Sequence, residues 1–124
     1  IFTKALLSGG KIKIFGDGTA ERDFTYIDDI VNGIVSAVKK PFPFEIINLG
    51  GARAIQVIKM LRILEKITGK KGNVVFEKAL PGESKTTTAD VSKAKKLLGY
   101  KVTTTLEKGL DNFVKWYKKN RLGK

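Results

Sequence analysis

Any chemistry in this chain has to run on Arg, Lys, Asp, Glu, Tyr, Ser or Thr, because its 124 residues include no histidine and no cysteine. That removes Cys/His dyads, Ser/His triads, most zinc geometries and a histidine proton shuttle working near neutral pH. It also removes disulfides and thiolate metal sites, a usage that fits a reducing compartment, and a cytoplasmic setting is expected. The arginines are few: Arg22, Arg53, Arg62 and Arg121. A guanidinium is a planar fork that donates two parallel hydrogen bonds to phosphate or carboxylate oxygens and stays charged at any working pH. On its neighbours alone, Arg22 reads as a surface ion-pair partner for Glu21 or Asp23.

Phosphate is also held by glycine-rich turns between a strand and a helix, where the backbone approaches a pyrophosphate closely. Several glycine clusters invite that reading, and each fails. Gly16-Asp17-Gly18 lacks the third glycine, and Gly69-Lys70-Lys71-Gly72 follows a helical pattern instead of opening one. Gly10-Lys11 is followed by Ile12, where a Mg-binding Ser or Thr is required. All of them read as turns.

Lys and Arg outnumber Asp and Glu by 24 to 12, a formal charge of +12. Basic faces release condensed counterions on meeting nucleic acid, so a lysine-rich nucleic-acid-binding module is one alternative. The excess, however, is lysine in ones and twos, as at Lys39-Lys40, Lys70-Lys71, Lys95-Lys96 and Lys118-Lys119. Clustered arginine with interleaved aromatics is missing, which favours a solvated lysine-rich surface. No apolar run approaches the ~18 residues of a membrane span. The longest candidate, Ile30 to Val38, is broken by Asn32, Gly33 and Ser36. At 42% hydrophobic the chain suffices for one domain. It begins at Ile1 with an amphipathic segment at once, so the start is expected to be a cut inside a longer chain.

The elements that must position these residues follow from periodicity. Phe2 to Leu7 reads as the tail of a helix stopped at Ser8-Gly9-Gly10, and Lys11 to Phe15 alternates like a half-buried strand. Gly16-Asp17-Gly18 then supplies a turn into a second alternating run, Asp23 to Ile27. Asp28 is a good N-cap for a helix whose apolar stripe is Ile30, Val31, Ile34, Val35 and Val38, ended by Pro41 and Pro43. Phe44 to Leu49 reads as a strand buried on both faces, which suits a parallel sheet. A helix carrying Val57, Met60, Leu61, Leu64 and Ile67 closes at Gly69, with a weak start at Gln56. A strand over Asn73 to Phe76 and an extended loop over Leu80 to Ala89 come next. Ser92 caps a short helix closed by Gly99, and Thr104 with Glu107 makes a capping box for a last helix bearing Leu106, Leu110, Phe113, Val114 and Tyr117. Alternating strands and helices give the α/β class.

The order and identity of residues add a resemblance. Gly16-Asp17-Gly18 followed by Arg22-Asp23-Phe24-Thr25-Tyr26-Ile27-Asp28-Asp29 resembles a segment of the extended short-chain dehydrogenases that act on nucleotide sugars, the NAD-dependent epimerase/dehydratase family. Ile47-Asn48-Leu49-Gly50-Gly51, Pro81-Gly82-Glu83, Ala89-Asp90, Ser92-Lys93-Ala94, Leu97-Leu98-Gly99-Tyr100, Leu106-Glu107 and Trp116-Tyr117 continue it in register along almost the whole chain. The resemblance points to the UDP-glucose or UDP-glucuronate 4-epimerase group.

What it implies is a substrate site. Backbone groups of Lys13 and Phe15 would hydrogen-bond a uracil, Arg22 would grip the diphosphate, and Glu83, in place of a commoner Asp, would hold ribose hydroxyls. As an alternative, Glu83 is simply a solvated acid in a polar loop. Relatives often carry a second arginine before the Gly-acid pair, where this chain has Leu80 and Pro81, so Lys78 or Lys85 would substitute as point charges. Thr87 stands where some relatives place a tyrosine against the hexose. Asp28 and Asp29 are assigned to helix capping.

In the family, hydride passes to a bound NAD with a tyrosine as base and a lysine four residues later. Here Tyr26, Tyr100 and Tyr117 are followed at that spacing by Ile30, Thr104 and Arg121. The expectation is therefore the C-terminal, UDP-sugar-binding lobe plus the last helix and strand of the Rossmann domain, residues 28–51. NAD would serve the complete enzyme, whereas this chain alone would bind no cofactor and be inactive. Its expected partners are a UDP-sugar, the missing N-terminal Rossmann half, and a second copy paired along the exposed strand 44–49. A non-catalytic remnant domain is the remaining alternative.

Overall fold

The computed structural model describes residues 1–122. In chain order they form α1 (Phe2–Ser8), β1 (Lys11–Phe15), β2 (Glu21–Asp23), α2 (Ile27–Lys39), β3 (Ala54–Gln56), α3 (Val57–Thr68), β4 (Asn73–Glu77), α4 (Ser92–Leu98) and α5 (Leu106–Tyr117). A π-helical turn, Lys118–Leu122, extends the last helix. The class is mixed α/β, as expected.

Alternation in β1 buries Ile12 and Ile14 while Lys11 and Lys13 stay exposed. This strand pairs in parallel with β4, Ile12 opposite Val74 and Ile14 opposite Phe76. Leu6 from α1, Met60, Leu61 and Leu64 from α3 and Val114 from α5 close over Ile12 and Ile14 to make the main core. Leu106 and Leu110 pack against that core, whereas Phe113 of the expected stripe is exposed and stacks on Trp116 at 5.9 Å. The glycine stops hold: Gly9, Gly69 and Gly99 are all left-handed helix C-caps.

A second, smaller cluster joins Val91, Ala94, Leu98 and Tyr100 to Ala37, Ile47 and Leu49. It lies under α2 and α4. Between the two clusters runs a short antiparallel pair, β2 with β3, Arg22 facing Ile55 in register.

Several expectations are corrected. The glycine turn after β1 does not make a hairpin, because β2 pairs with β3 and only Asp23 of the run 23–27 is in a strand. β3 itself is absent from the periodicity, being too short to register between Gly51 and the helix. Asp28 is not the N-cap of α2; that position is Tyr26, with no side-chain cap bond. Asp29 is buried and takes hydrogen bonds from the Thr103 N–H and hydroxyl and the Thr104 N–H, tying α2 to the start of α5. For α4 it is Asp90 that accepts the Ser92 N–H, and for α5 the N-cap is Thr105, which accepts from Lys108 N, one residue later than the expected box.

The largest corrections concern α2 and the segment after it. Val31, Ile34, Val35 and Val38 are exposed, Val38 at 76%. Residues 44–49 form no strand, and Phe44 and Ile46 stand 79% and 71% exposed. A strand exists only with a pairing strand to complete its ladder, and among the described residues no strand pairs with this segment, although Ile47 and Leu49 pack on the second cluster. No helix among them is long and apolar enough to cross a membrane.

Candidate functional site

The structure brings Arg22 to a partner distant in sequence. From β2 its Nη2 donates to the Glu83 carboxylate, and its Nη1 donates to the Ser84 carbonyl at 3.0 Å and the Glu21 carbonyl at 2.8 Å. Neither nearby acid, Glu21 or Asp23, pairs with the guanidinium. The loop carrying Glu83 is laid along β2 by backbone bonds on both sides of Glu21. Glu21 N donates to Lys85 O at 2.8 Å, and Thr87 N donates to Glu21 O at 3.1 Å.

Asp23 holds the other side of this strand. Its Oδ2 accepts from Ala52 N at 3.1 Å and Ala89 N at 3.0 Å, so one carboxylate ties β2 to the approach to β3 and to the end of the Glu83 loop. A Cβ on Gly51 would sit 2.4 Å from Asp23 Oδ1, so only glycine lets the backbone come this close. That Oδ1 is buried without a hydrogen-bond partner among the described residues. The sequence offered Asp23 only as an ion-pair partner for Arg22; the signal for its actual role was the pairing of an acid with Gly50-Gly51, legible only once both are in contact.

Two cavities of about 440 Å³ each flank the Glu83 side chain. One gathers Lys13, Phe15, Gly18, Arg22, Val57 and Glu83, and the other gathers Phe15, Asp17, Thr19, Glu83, Ser84 and Lys85. Of the residues singled out from the sequence, Lys13, Phe15, Arg22 and Glu83 therefore share one cavity, and Lys85 lines its neighbour. Thr87 lines neither and spends its N–H on Glu21. The ammonium of Lys13 pairs with Glu77 at 2.7 Å. Asp17 is exposed, and the Thr19 hydroxyl and N–H hold its carboxyl below the ordinary aspartate value.

Two of the three tyrosines, Tyr26 and Tyr100, make structural hydrogen bonds. Tyr100 is buried and donates its hydroxyl to Gly50 O at 3.0 Å, and burial pushes its pKa up. Tyr26 accepts from Asn112 Nδ2 at 3.3 Å. Neither lines the two cavities. A dinucleotide cofactor does not fit these residues: β3 runs straight into α3 with no glycine between them, and β1 is followed by a turn into β2 instead of a helix. Among the described residues no cluster of acids could hold a metal ion.

Residues 1–50 match the NAD dependent epimerase/dehydratase family. Over 120 residues the chain is 45% identical to the UDP-glucuronate 4-epimerase of Thermodesulfobacterium geofontis, an alignment covering 96% of this chain and 37% of that one. The chain belongs to the NAD-dependent epimerase/dehydratase family. Among solved structures of the family, it superposes with a TM-score of 0.88 at 42% identity on the UDP-glucuronic acid 4-epimerase of Bacillus cereus in complex with UDP-glucuronic acid and NAD, covering 95% of this chain and 38% of that one. The UDP-glucose 4-epimerase of Thermotoga maritima with UDP-glucose matches at TM-score 0.88 and 34% identity, again over 95% and 38%. The chain thus spans well under half the length of these family members.

Proposed function

We propose that this chain is the substrate-gripping portion of an NAD-dependent nucleotide-sugar 4-epimerase and that it takes a UDP-sugar beside Arg22. The observation that carries the reading is the convergence of Arg22 and Glu83 with the β1 edge at Lys13 and Phe15 around one cavity. Backbone groups of Lys13 and Phe15 suit the edge of a uracil, and the Arg22 fork suits the diphosphate. Glu83 is the candidate for the ribose hydroxyls, Lys85 adds a point charge to the neighbouring cavity, and Thr87, which lines neither cavity, is the candidate for the hexose. The redox step belongs to NAD, for which these residues form no cradle, so this chain's own part is to bind and orient the substrate and the chain alone is inactive.

Residues 28–51 are assigned to the edge of the cofactor-binding domain. Their uncovered apolar side chains, Ile34, Val38, Phe44 and Ile46, offer a surface for the remainder of such an enzyme. Without that remainder the same edge invites pairing between copies of this chain.

Titration of amide shifts with UDP-glucuronate and UDP tests the binding role. Losing a charged fork from a phosphate should weaken binding in Arg22→Ala by about 10- to 100-fold, since a hydrogen bond to a charged group is worth ~1.5–3 kcal/mol. An Arg22→Ala chain that holds UDP as tightly as the parent, or a folded parent that holds neither ligand, would sink the reading.

A further inference from the structure

A phosphate closing on Arg22 has to compete with hydrogen bonds that the guanidinium already makes. A guanidinium offers a phosphate one of two parallel N–H pairs, Nη1 with Nη2 or Nε with Nη2, and both use Nη2; here Nη1 donates to two carbonyls and Nη2 donates to the Glu83 carboxylate. The carbonyls of Glu21 and Ser84 are fixed in the backbone. Of the three acceptors, only Glu83 carries a charge and can rotate away, and its side chain is 37% exposed.

The position of Glu83 adds a second observation. It lines both cavities and shares the wall between them with Phe15 and Ala20. The backbone around it is anchored: Glu83 N donates to Leu80 O at 3.2 Å, and Lys85 O and Thr87 N are both bonded to Glu21. The side chain can therefore leave while the loop stays, and its departure would widen the space beside Arg22 where the two cavities meet.

From this geometry we infer that Glu83 is an internal anion seated on Nη2 of Arg22, a latch with which an incoming pyrophosphate competes for that corner of the guanidinium. The inference rests on the nucleotide-sugar reading and deepens it by naming what sets affinity at that site. Exchange of carboxylate for phosphate keeps the guanidinium neutralised, so opening the latch strands no cation. It also frees the Glu83 carboxylate, which can then accept from a ligand hydroxyl.

Inorganic pyrophosphate is the discriminating probe, because it has no ribose hydroxyls and so forms no bond to Glu83 that the substitutions would remove. Calorimetric titration of folded wild type, Glu83→Gln, Glu83→Asp and Arg22→Ala, with UDP in parallel, separates the outcomes. Exposed ion pairs are weak, so both Glu83 variants should bind pyrophosphate about two- to fivefold more tightly, and Arg22→Ala should lose it. Glu83→Asp keeps the charge but is one methylene too short to hold Nη2. Tightening in Glu83→Gln with Glu83→Asp unchanged would mean simple charge repulsion and overturn the latch. Equal or weaker pyrophosphate binding in both variants, with UDP still bound by wild type, overturns the latch alone. Failure of every folded chain to bind either ligand overturns the latch and the nucleotide-sugar reading together.

Discussion

Helices α2 and α3 are both amphipathic, nearly equal in length, and treated in opposite ways by the fold. Helix α3 turns its apolar stripe inward, burying Met60, Leu61 and Leu64 against β1 and α5. Helix α2 buries Asp29 and Gly33 and leaves Val31, Ile34, Val35 and Val38 to solvent. Its inward side is held by a carboxylate under the Thr103-Thr104 turn and by close approach at Gly33, where a Cβ would lie 2.8 Å from Leu49. Spacing reports how a helix face is composed, and it is silent on what covers that face. An apolar stripe is buried only if another element supplies a complementary surface, and for α2 none among the described residues does so.

Substitutions in the two helices test this contrast. Leu61→Ala should be the most damaging, removing about 2–5 kcal/mol of stability in urea melts because it opens a cavity beneath a residue with no exposed surface. A loss under about 1 kcal/mol would mean the main core is not the stabilising one.

Asp29→Ala should follow at about 1.5–3 kcal/mol, since it removes the buried carboxylate that accepts from the N–H groups of Thr103 and Thr104. The same residue predicts a pH effect. Burial pushes the Asp29 pKa up, but the bonds from Thr103 and Thr104 outweigh it and hold the carboxyl below its ordinary value of 3.8. A depressed folded-state pKa means that its stabilisation is complete above that ordinary value and is lost as pH falls through the lower, folded one. Urea midpoints measured at about pH 5 and about pH 3 should drop in wild type by more than in Asp29→Ala. Equal drops would remove Asp29 from the acid response.

Val38→Lys on α2 should be the mildest, within about 0.5 kcal/mol, because the position is already in water. A cost approaching that of Leu61→Ala would show that the α2 face is covered in solution. The covering copy or segment would then register as a change of mass in sedimentation.

Much of the scaffold was legible because local rules act within a few residues. The β1 alternation, the α3 stripe and the glycine ends of α1, α3 and α4 follow from side-chain period and from the left-handed backbone that glycine tolerates. Cap positions slipped by one or two residues, at Asp28, Ser92 and Thr104, because composition names candidate caps and only the final backbone path selects the residue at which the helix starts. The strand expected at 44–49 has the composition of a buried strand and lacks a neighbour, which composition cannot reveal.

For the site, residue chemistry pointed to Arg22 and Glu83 separately, and their pairing was not foreseeable. The ion pair spans 61 residues, and the plausible local partners Glu21 and Asp23 are both otherwise engaged.

By itself, the sequence determined which residues are able to do chemistry, where the helices and main strands begin and end within a residue or two, and which faces are apolar. Tertiary structure alone decided that Arg22 meets Glu83, that Asp23 knots three segments together, and that the α2 stripe faces outward. The reason is one of range: side-chain period and backbone preference are properties of neighbouring residues, whereas burial and pairing depend on which distant surfaces the folded chain brings within a few ångströms.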